Sequence, residues 1–236
     1  MAKKEFPDKP IPKGKEKPAS NDAGGLGGDF SSKISGLSSK LFGIIKFILA
    51  IIMLPLVYSS VVSFGNEFIQ VDPSLQRLFY NGAISFLAIY LFIWEPSEIY
   101  SRGHKLLEFI FSFFKPMVNV APFLLPIYTI VFFIIYGLLA LVIESNWLIR
   151  YTIFLIGFSS MLHLTFAAKA IRNKKGDFLK ANYIFGFSFI FILNLFLLSL
   201  GFSLIFKEFS FINFCNISFT IFKEIFLAVF NQLFVF

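Results

Sequence analysis

Residues 181–206, ANYIFGFSFIFILNLFLLSLGFSLIF, carry no charged side chain and have Asn194 near their middle. An α-helix needs about 20 predominantly apolar residues to cross the hydrocarbon core of a bilayer. Strands of membrane barrels alternate apolar and polar residues, whereas this run is continuously apolar. The stretch therefore predicts a membrane-spanning helix and places the chain in the helical membrane class.

The composition of the whole chain extends this prediction to several spans. Hydrophobic residues make up 57% of the 236 residues, charged residues only 15%, and there are 36 phenylalanines, which excludes a soluble globular protein. We predict an all-α, polytopic membrane helix bundle with about five spans. Besides residues 181–206, the predicted spans are Leu41–Phe64, Arg77–Trp94, Pro122–Ile143 and Trp147–Ala168.

Segments at both chain ends differ from these spans. Residues 1–36 are rich in lysine, proline and glycine and predict a disordered, basic cytoplasmic tail. Residues 37–210 form the predicted membrane domain. Residues 211–236 are apolar but interrupted by Lys223 and Glu224, which predicts either an amphipathic interfacial helix or a sixth span.

The distribution of charge predicts the orientation. The net charge is +7, and the basic residues concentrate in the tail and in loops 95–121 and 169–180. The positive-inside rule places all three in the cytoplasm, provided that a helix over residues 98–114 is re-entrant or interfacial. We expect a protein of the inner (cytoplasmic) membrane in contact with the lipid bilayer. No basic stripe is interleaved with stacking aromatics, so a nucleic-acid partner is not predicted.

The predicted re-entrant helix carries a candidate site. It contains His104-Lys-Leu-Leu-Glu108, in which His104 and Glu108 lie four residues apart and so share one helical face. The only other histidine, His163, lies in the fourth predicted span about 9 Å below the cytoplasmic boundary, within reach of that helix. An ionisable residue inside a span is by default a functional candidate, although the residues alone favour a neutral histidine that is hydrogen-bonded to a neighbouring helix.

Several motifs together resemble a known family. Gly103-His104 is followed by Pro126-Ile-Tyr-Thr129, by Ile156-Gly-Phe and His163, by Asp177 in a basic turn, and by a span with Ser188 and Asn194. This ordered set, over roughly residues 98–200, is similar to the bacterial site-2-protease-like membrane zinc metallopeptidases. In that group a G-H-E-x-x-H helix precedes the other motifs.

The resemblance implies a zinc site with altered residues. Lys105 stands where the family has its catalytic glutamate, and Glu108 stands where it has its second histidine. The resemblance implies His104, Glu108 and His163 as metal ligands, with Asp177 as a fourth ligand or a hydrogen-bond partner of a ligand. A charged lysine cannot accept the proton of a zinc-bound water, and it repels a nearby cation. We therefore expect the zinc to have been lost, and retained zinc is the alternative.

These considerations predict a degenerate member of the family, a pseudoenzyme that binds a membrane protein partner or forms an oligomer. Two alternatives remain open. The first is an active but atypical metallopeptidase in which Glu98 or Glu95 replaces the missing base. The second is a small transporter or channel subunit in which His163 and Asn194 line a path. The single cysteine, Cys215, excludes an intrachain disulfide and a cysteine metal cluster.

Overall fold

The computed structural model describes residues 25–118, 120–143, 145–173 and 183–234. This described part is helical and contains no strand. The helices are α1 (Gly25–Phe68), α2 (Pro73–Phe92), α3 (Ser97–Ile110), α4 (Lys115–Val118), α5 (Ala121–Leu124), α6 (Ile127–Ala140), α7 (Asn146–Asn173), α8 (Tyr183–Ile205) and α9 (Phe211–Phe234).

The chain divides into two compact units, residues 1–42 and residues 43–236. In the first unit the described residues, 25–42, belong to α1. Residues 1–24 of the predicted tail lie outside the described residues, so the predicted disorder stays a prediction there. The second unit contains the other helices and the histidines.

Helix length and composition show an integral, multi-pass membrane protein. Four segments are long and apolar enough to cross a membrane alone: Phe47–Phe68, Asn146–Arg172, Tyr183–Ile205 and Phe211–Gln232. The α2–α3 pair passes the same test when its two helices are taken together, which gives up to five spans. Many large apolar side chains are exposed on these helices, as expected of a surface in contact with lipid.

The third predicted span, Pro122–Ile143, differs from the structure. The chain is helical over α5, leaves the helix at Leu125 and Pro126, and resumes as α6. Proline has no backbone N–H and its ring obstructs the preceding turn, so the helix breaks there. The 14 residues of α6 rise about 21 Å, which is less than a full hydrocarbon core of about 30 Å. At the other end of the chain, α9 is long enough to be a span, one of the two predicted possibilities.

Helices α2 and α7 pack very closely against each other. A Cβ atom on Gly82 would lie 2.0 Å from the Phe154 carbonyl oxygen, and one on Gly157 would lie 2.1 Å from that of Phe79. Only glycine permits backbones to approach this closely, as is common between helices in membranes. The two helices run parallel, because Phe86 packs on Phe158 and Tyr90, further along α2, packs on Phe166.

The parallel arrangement of α2 and α7 has a topological consequence. Two parallel spans require an odd number of membrane crossings between them, so α3 and α6 cannot both be separate crossings. After Pro96, α3 turns away from α2 by 119°. A bend of this size is that of a broken span or of a re-entrant helix, so the re-entrant or interfacial position of α3 stays a prediction. An ion pair between Glu95 and Lys169 brings the starts of the predicted loops 95–121 and 169–180 to the same end of the bundle.

A cluster of phenylalanines fills the core at the opposite end. Phe202 of α8 stacks on Phe68 with ring centroids 5.4 Å apart, and its edge contacts Phe79 at 5.6 Å. The same ring also contacts Phe64 and Phe209. Offset and edge-to-face ring contacts of this kind add to the packing energy of the buried area. They join α1, α2 and α8 around one aromatic side chain.

Polar contacts attach α9 to α1. The Glu67 side chain, 5% exposed, accepts a hydrogen bond of 2.8 Å from the Ser210 backbone N–H and a second from the Asn213 amide. A carboxylate at a helix N-terminus satisfies free N–H groups and complements the helix dipole. Further along, the Ser218 hydroxyl lies 3.3 Å from that of Ser59.

Candidate functional site

The candidate site begins with the docking of α3 against α6 and α7. Gly103 faces α6, where an added Cβ would lie 2.8 Å from Tyr128 Cε2 and 2.9 Å from Ile127 Cγ2. The Tyr128 hydroxyl donates a hydrogen bond of 2.5 Å to the Ile99 carbonyl one turn earlier on α3. Only glycine at position 103 allows α3 to lie this close to α6. In this position of α3, the neighbouring residue His104 lies next to α7.

His104 and His163 line the same small cavity. Its other polar lining groups are Tyr100, Tyr128 and Ser159, and its water-accessible volume is about 10 Å³. This volume accommodates about one water molecule. The structure therefore brings together, around one cavity, two histidines that lie 59 residues apart (163 − 104), as the sequence predicted.

Two buried polar atoms in the lining have no hydrogen-bond partner among the described residues. They are His163 Nε2 and the Tyr100 hydroxyl oxygen. His163 is 4% exposed, and its ring forms a hydrogen bond with the Phe123 backbone. A buried donor or acceptor without a partner costs about 1–3 kcal/mol, so such atoms identify places where a water molecule or another ligand is favoured.

The Glu108 side chain contacts His104. Glu108 Oε1 lies 3.2 Å from His104 Nδ1, on the exposed side of α3, and the Glu108 side chain is 46% exposed. Lys105 is also exposed and does not line the cavity. The residues of the altered motif therefore lie on different sides of α3: His104 faces the cavity, whereas Lys105 and Glu108 face outward.

The zinc ligands implied by the resemblance are only partly assembled. A zinc-bound histidine usually donates its second ring N–H to a carboxylate, which is how Glu108 is placed relative to His104. A catalytic zinc needs three protein ligands, and the described residues contain no group of three His, Cys, Asp or Glu side chains able to share a metal ion. Asp177 lies outside the described residues. Among the described residues, the two imidazoles line the cavity and Glu108 contacts one of them.

Sequence reasoning missed two aromatic residues of the site. Tyr100 stacks on Phe166 at 5.1 Å, and Phe123 presents an edge to the His104 ring at 4.8 Å. Tyr100 precedes His104 by four residues and so shares its helical face, which was a usable signal. Phe123 lies in the short helix α5, before the interruption at Leu125 and Pro126, and the continuous predicted span did not anticipate this separate helix.

The remaining polar residues of the motifs lie apart from the histidines or bond to other groups. The Asn194 amide donates to the Ile190 carbonyl one turn earlier on α8, and Asn194 does not line the histidine cavity. The Ser159 hydroxyl lies 2.8 Å from that of Thr129, which joins α6 to α7. Helix-to-helix hydrogen bonds of this kind stabilise membrane bundles.

Comparison with known proteins gives no relative from which a function can be transferred. No family model matches the chain, and neither a curated protein nor a solved structure matches it.

Proposed function

We propose that this integral membrane protein is a non-catalytic relative of the site-2-protease-like metallopeptidases that binds another membrane protein. One observation carries the proposal: among the described residues, no carboxylate lines the cavity between His104 and His163. Zinc peptidases need a carboxylate beside the metal-bound water to take its proton. A protein that only holds a partner does not need one.

The acidic residues near the cavity support the same proposal. Glu95 is paired with Lys169, and Glu98 is exposed on α3. Neither lines the cavity. The alternative of an active enzyme with one of these residues as its base requires a side-chain movement into the site. The small cavity also leaves no room for a peptide backbone without separation of α3 from α7.

The outer face of α3 is the surface that we assign to the partner. Leu106, Phe109, Ile110 and Phe113 are exposed on one side of α3 and the turn after it, between 45% and 83%. Lys105 and Glu98 lie on a second exposed side. An apolar strip next to charged residues fits an amphipathic or transmembrane helix of another protein at the membrane boundary.

Metal analysis tests the loss of catalysis. The purified protein should contain well under one zinc per chain, and His104→Ala and His163→Ala should leave this value unchanged. One zinc per chain that is lost in both variants would overturn the proposal and favour an active or metal-stabilised protein.

Restoring the motif tests the proposed relationship. In the variant Lys105→Glu/Glu108→His the family's H-E-x-x-H sequence is rebuilt on α3. We expect this variant to bind about one zinc per chain, with binding abolished by a further His163→Ala change. The matched control, Lys105→Glu alone, should not gain zinc. Failure of the double variant to bind zinc while remaining folded would contradict the resemblance.

A transport function has less support from the structure. It requires a path lined by both His163 and Asn194, and the described cavity that includes His163 does not include Asn194. Solute flux in liposomes that disappears in His163→Ala would restore this alternative.

A further inference from the structure

A second cavity lies at the end of the bundle where α2 and α7 finish and α8 begins. It has a volume of about 380 Å³ and is lined by Tyr90, Ala168, Lys169, Arg172 and Tyr183. These residues come from three helices. The α7 span ends at Arg172 and the α8 span begins at Tyr183, so the cavity lies at the level of the lipid headgroups.

The described side chains around this cavity carry more positive than negative charge. Lys169 and Arg172 lie three residues apart on α7, and both side chains line the cavity. Glu95 pairs with Lys169, and no carboxylate among the described residues pairs with Arg172. Among the described residues, one positive charge therefore remains beside Tyr90 and Tyr183. Cations near the C-terminus of a helix are favoured by its dipole, but the dipole does not explain tyrosines supplied by two other helices.

We propose that this cavity binds the phosphate group of an anionic phospholipid. Arg172 presents a planar set of N–H donors that suits phosphate oxygens, and the tyrosine hydroxyl groups supply further donors. Basic pockets between transmembrane helices on the cytoplasmic side are suited to such headgroups. The proposal is independent of the histidine cavity and of the loss of catalysis.

Apolar surface beside the cavity favours a lipid over a free phosphate ion. Leu91 and Phe92, next to Tyr90 at the end of α2, are exposed to 68% and 84%. Acyl chains attached to a bound headgroup can cover these side chains, whereas inorganic phosphate cannot. The lipid thus gains buried apolar area in addition to the charge contact.

The test compares lipids on purified protein in detergent. Phosphatidylglycerol, phosphatidylcholine and inorganic phosphate are each titrated, and bound lipid is measured by native mass spectrometry alongside the thermal unfolding midpoint. We expect phosphatidylglycerol to bind more tightly than phosphatidylcholine, and Arg172→Gln to weaken it about fivefold. The matched control is Arg150→Gln, which removes the same charge at the opposite end of α7 and should leave binding unchanged.

Several outcomes would overturn the proposal. Equal weakening by both arginine variants would indicate attraction by net charge alone. Competition by inorganic phosphate at millimolar concentration would indicate a site for free anions instead of lipid. If Arg172→Gln does not fold, Arg172→Lys serves in its place: it keeps the charge but not the planar donors, and full retention of phosphatidylglycerol binding would remove the arginine-specific role.

Discussion

Gly157→Ala is expected to destabilise the protein through the α2–α7 contact. The added Cβ would lie 2.1 Å from the Phe79 carbonyl oxygen, and Cβ atoms essentially never approach other atoms within 3.0 Å. The two backbones must therefore separate by about 0.9 Å (3.0 − 2.1) at this point. Because the obstacle is backbone, no side-chain rotation relieves the contact.

The size of the effect follows from two opposing contributions. Overpacking of a tight contact costs about 1–3 kcal/mol, whereas replacing glycine by alanine within a helix gains up to about 1 kcal/mol. Gly137→Ala on α6 isolates the second contribution, because no atom lies within 4 Å of its added Cβ. We expect Gly157→Ala to be less stable than Gly137→Ala by about 1–3 kcal/mol.

Thermal unfolding in detergent micelles, followed by circular dichroism, measures this difference. For a chain of this size, each kcal/mol of lost unfolding free energy lowers the unfolding midpoint by about 2–4 °C. Equal midpoints for the two alanine variants would refute the close backbone contact and with it the parallel packing of α2 on α7.

Three further predictions concern single contacts. Asn213→Ala should lower the free energy of unfolding by about 1.5–3 kcal/mol because it removes a hydrogen bond to a buried carboxylate, and it should cost little in a Glu67→Ala background, as a double-mutant cycle measures. Tyr128→Phe should lower the unfolding free energy by about 0.5–1.5 kcal/mol through loss of its bond to α3, whereas Tyr136→Phe on the same helix should be near neutral. A backbone N–H at the start of α2 holds the pKa of Asp72 below its usual value, so its contribution to stability is complete above about pH 4 and is lost as the pH falls through the folded-state pKa. Asp72→Asn should therefore lose less thermal stability than the unchanged protein between about pH 6 and about pH 3.

The long spans were predictable because lipid imposes a simple requirement on sequence. The run 181–206 predicted α8, and Trp147–Ala168 predicted most of α7, since a helix that crosses hydrocarbon must be apolar over its length. The prediction over Pro122–Ile143 was wrong in its continuity. The hydropathy of a segment does not show where a proline interrupts the helix, and Pro126 interrupts it here.

The candidate site was predictable only in part. The depth of His163 in its span could be estimated from the rise per residue and the position of the basic loop. This estimate correctly predicted that His163 lies near α3. Depth does not fix the direction of a side chain around a helix. The spacing predicted that His104 and Glu108 share one helical face, but it could not predict which face of α3 contacts α6. The close contact at Gly103 fixes that face and leaves Lys105 exposed.

The contact between Glu67 and the start of α9 has a consequence for biogenesis. Glu67 leaves the ribosome 143 residues before Ser210, whose backbone N–H it accepts. During most of synthesis its carboxylate therefore lacks both of its α9 donors, and Ser59 lacks its contact with Ser218. Polar groups without partners are costly inside a membrane. We therefore expect a chain truncated before α9 to be degraded faster after synthesis than the full chain.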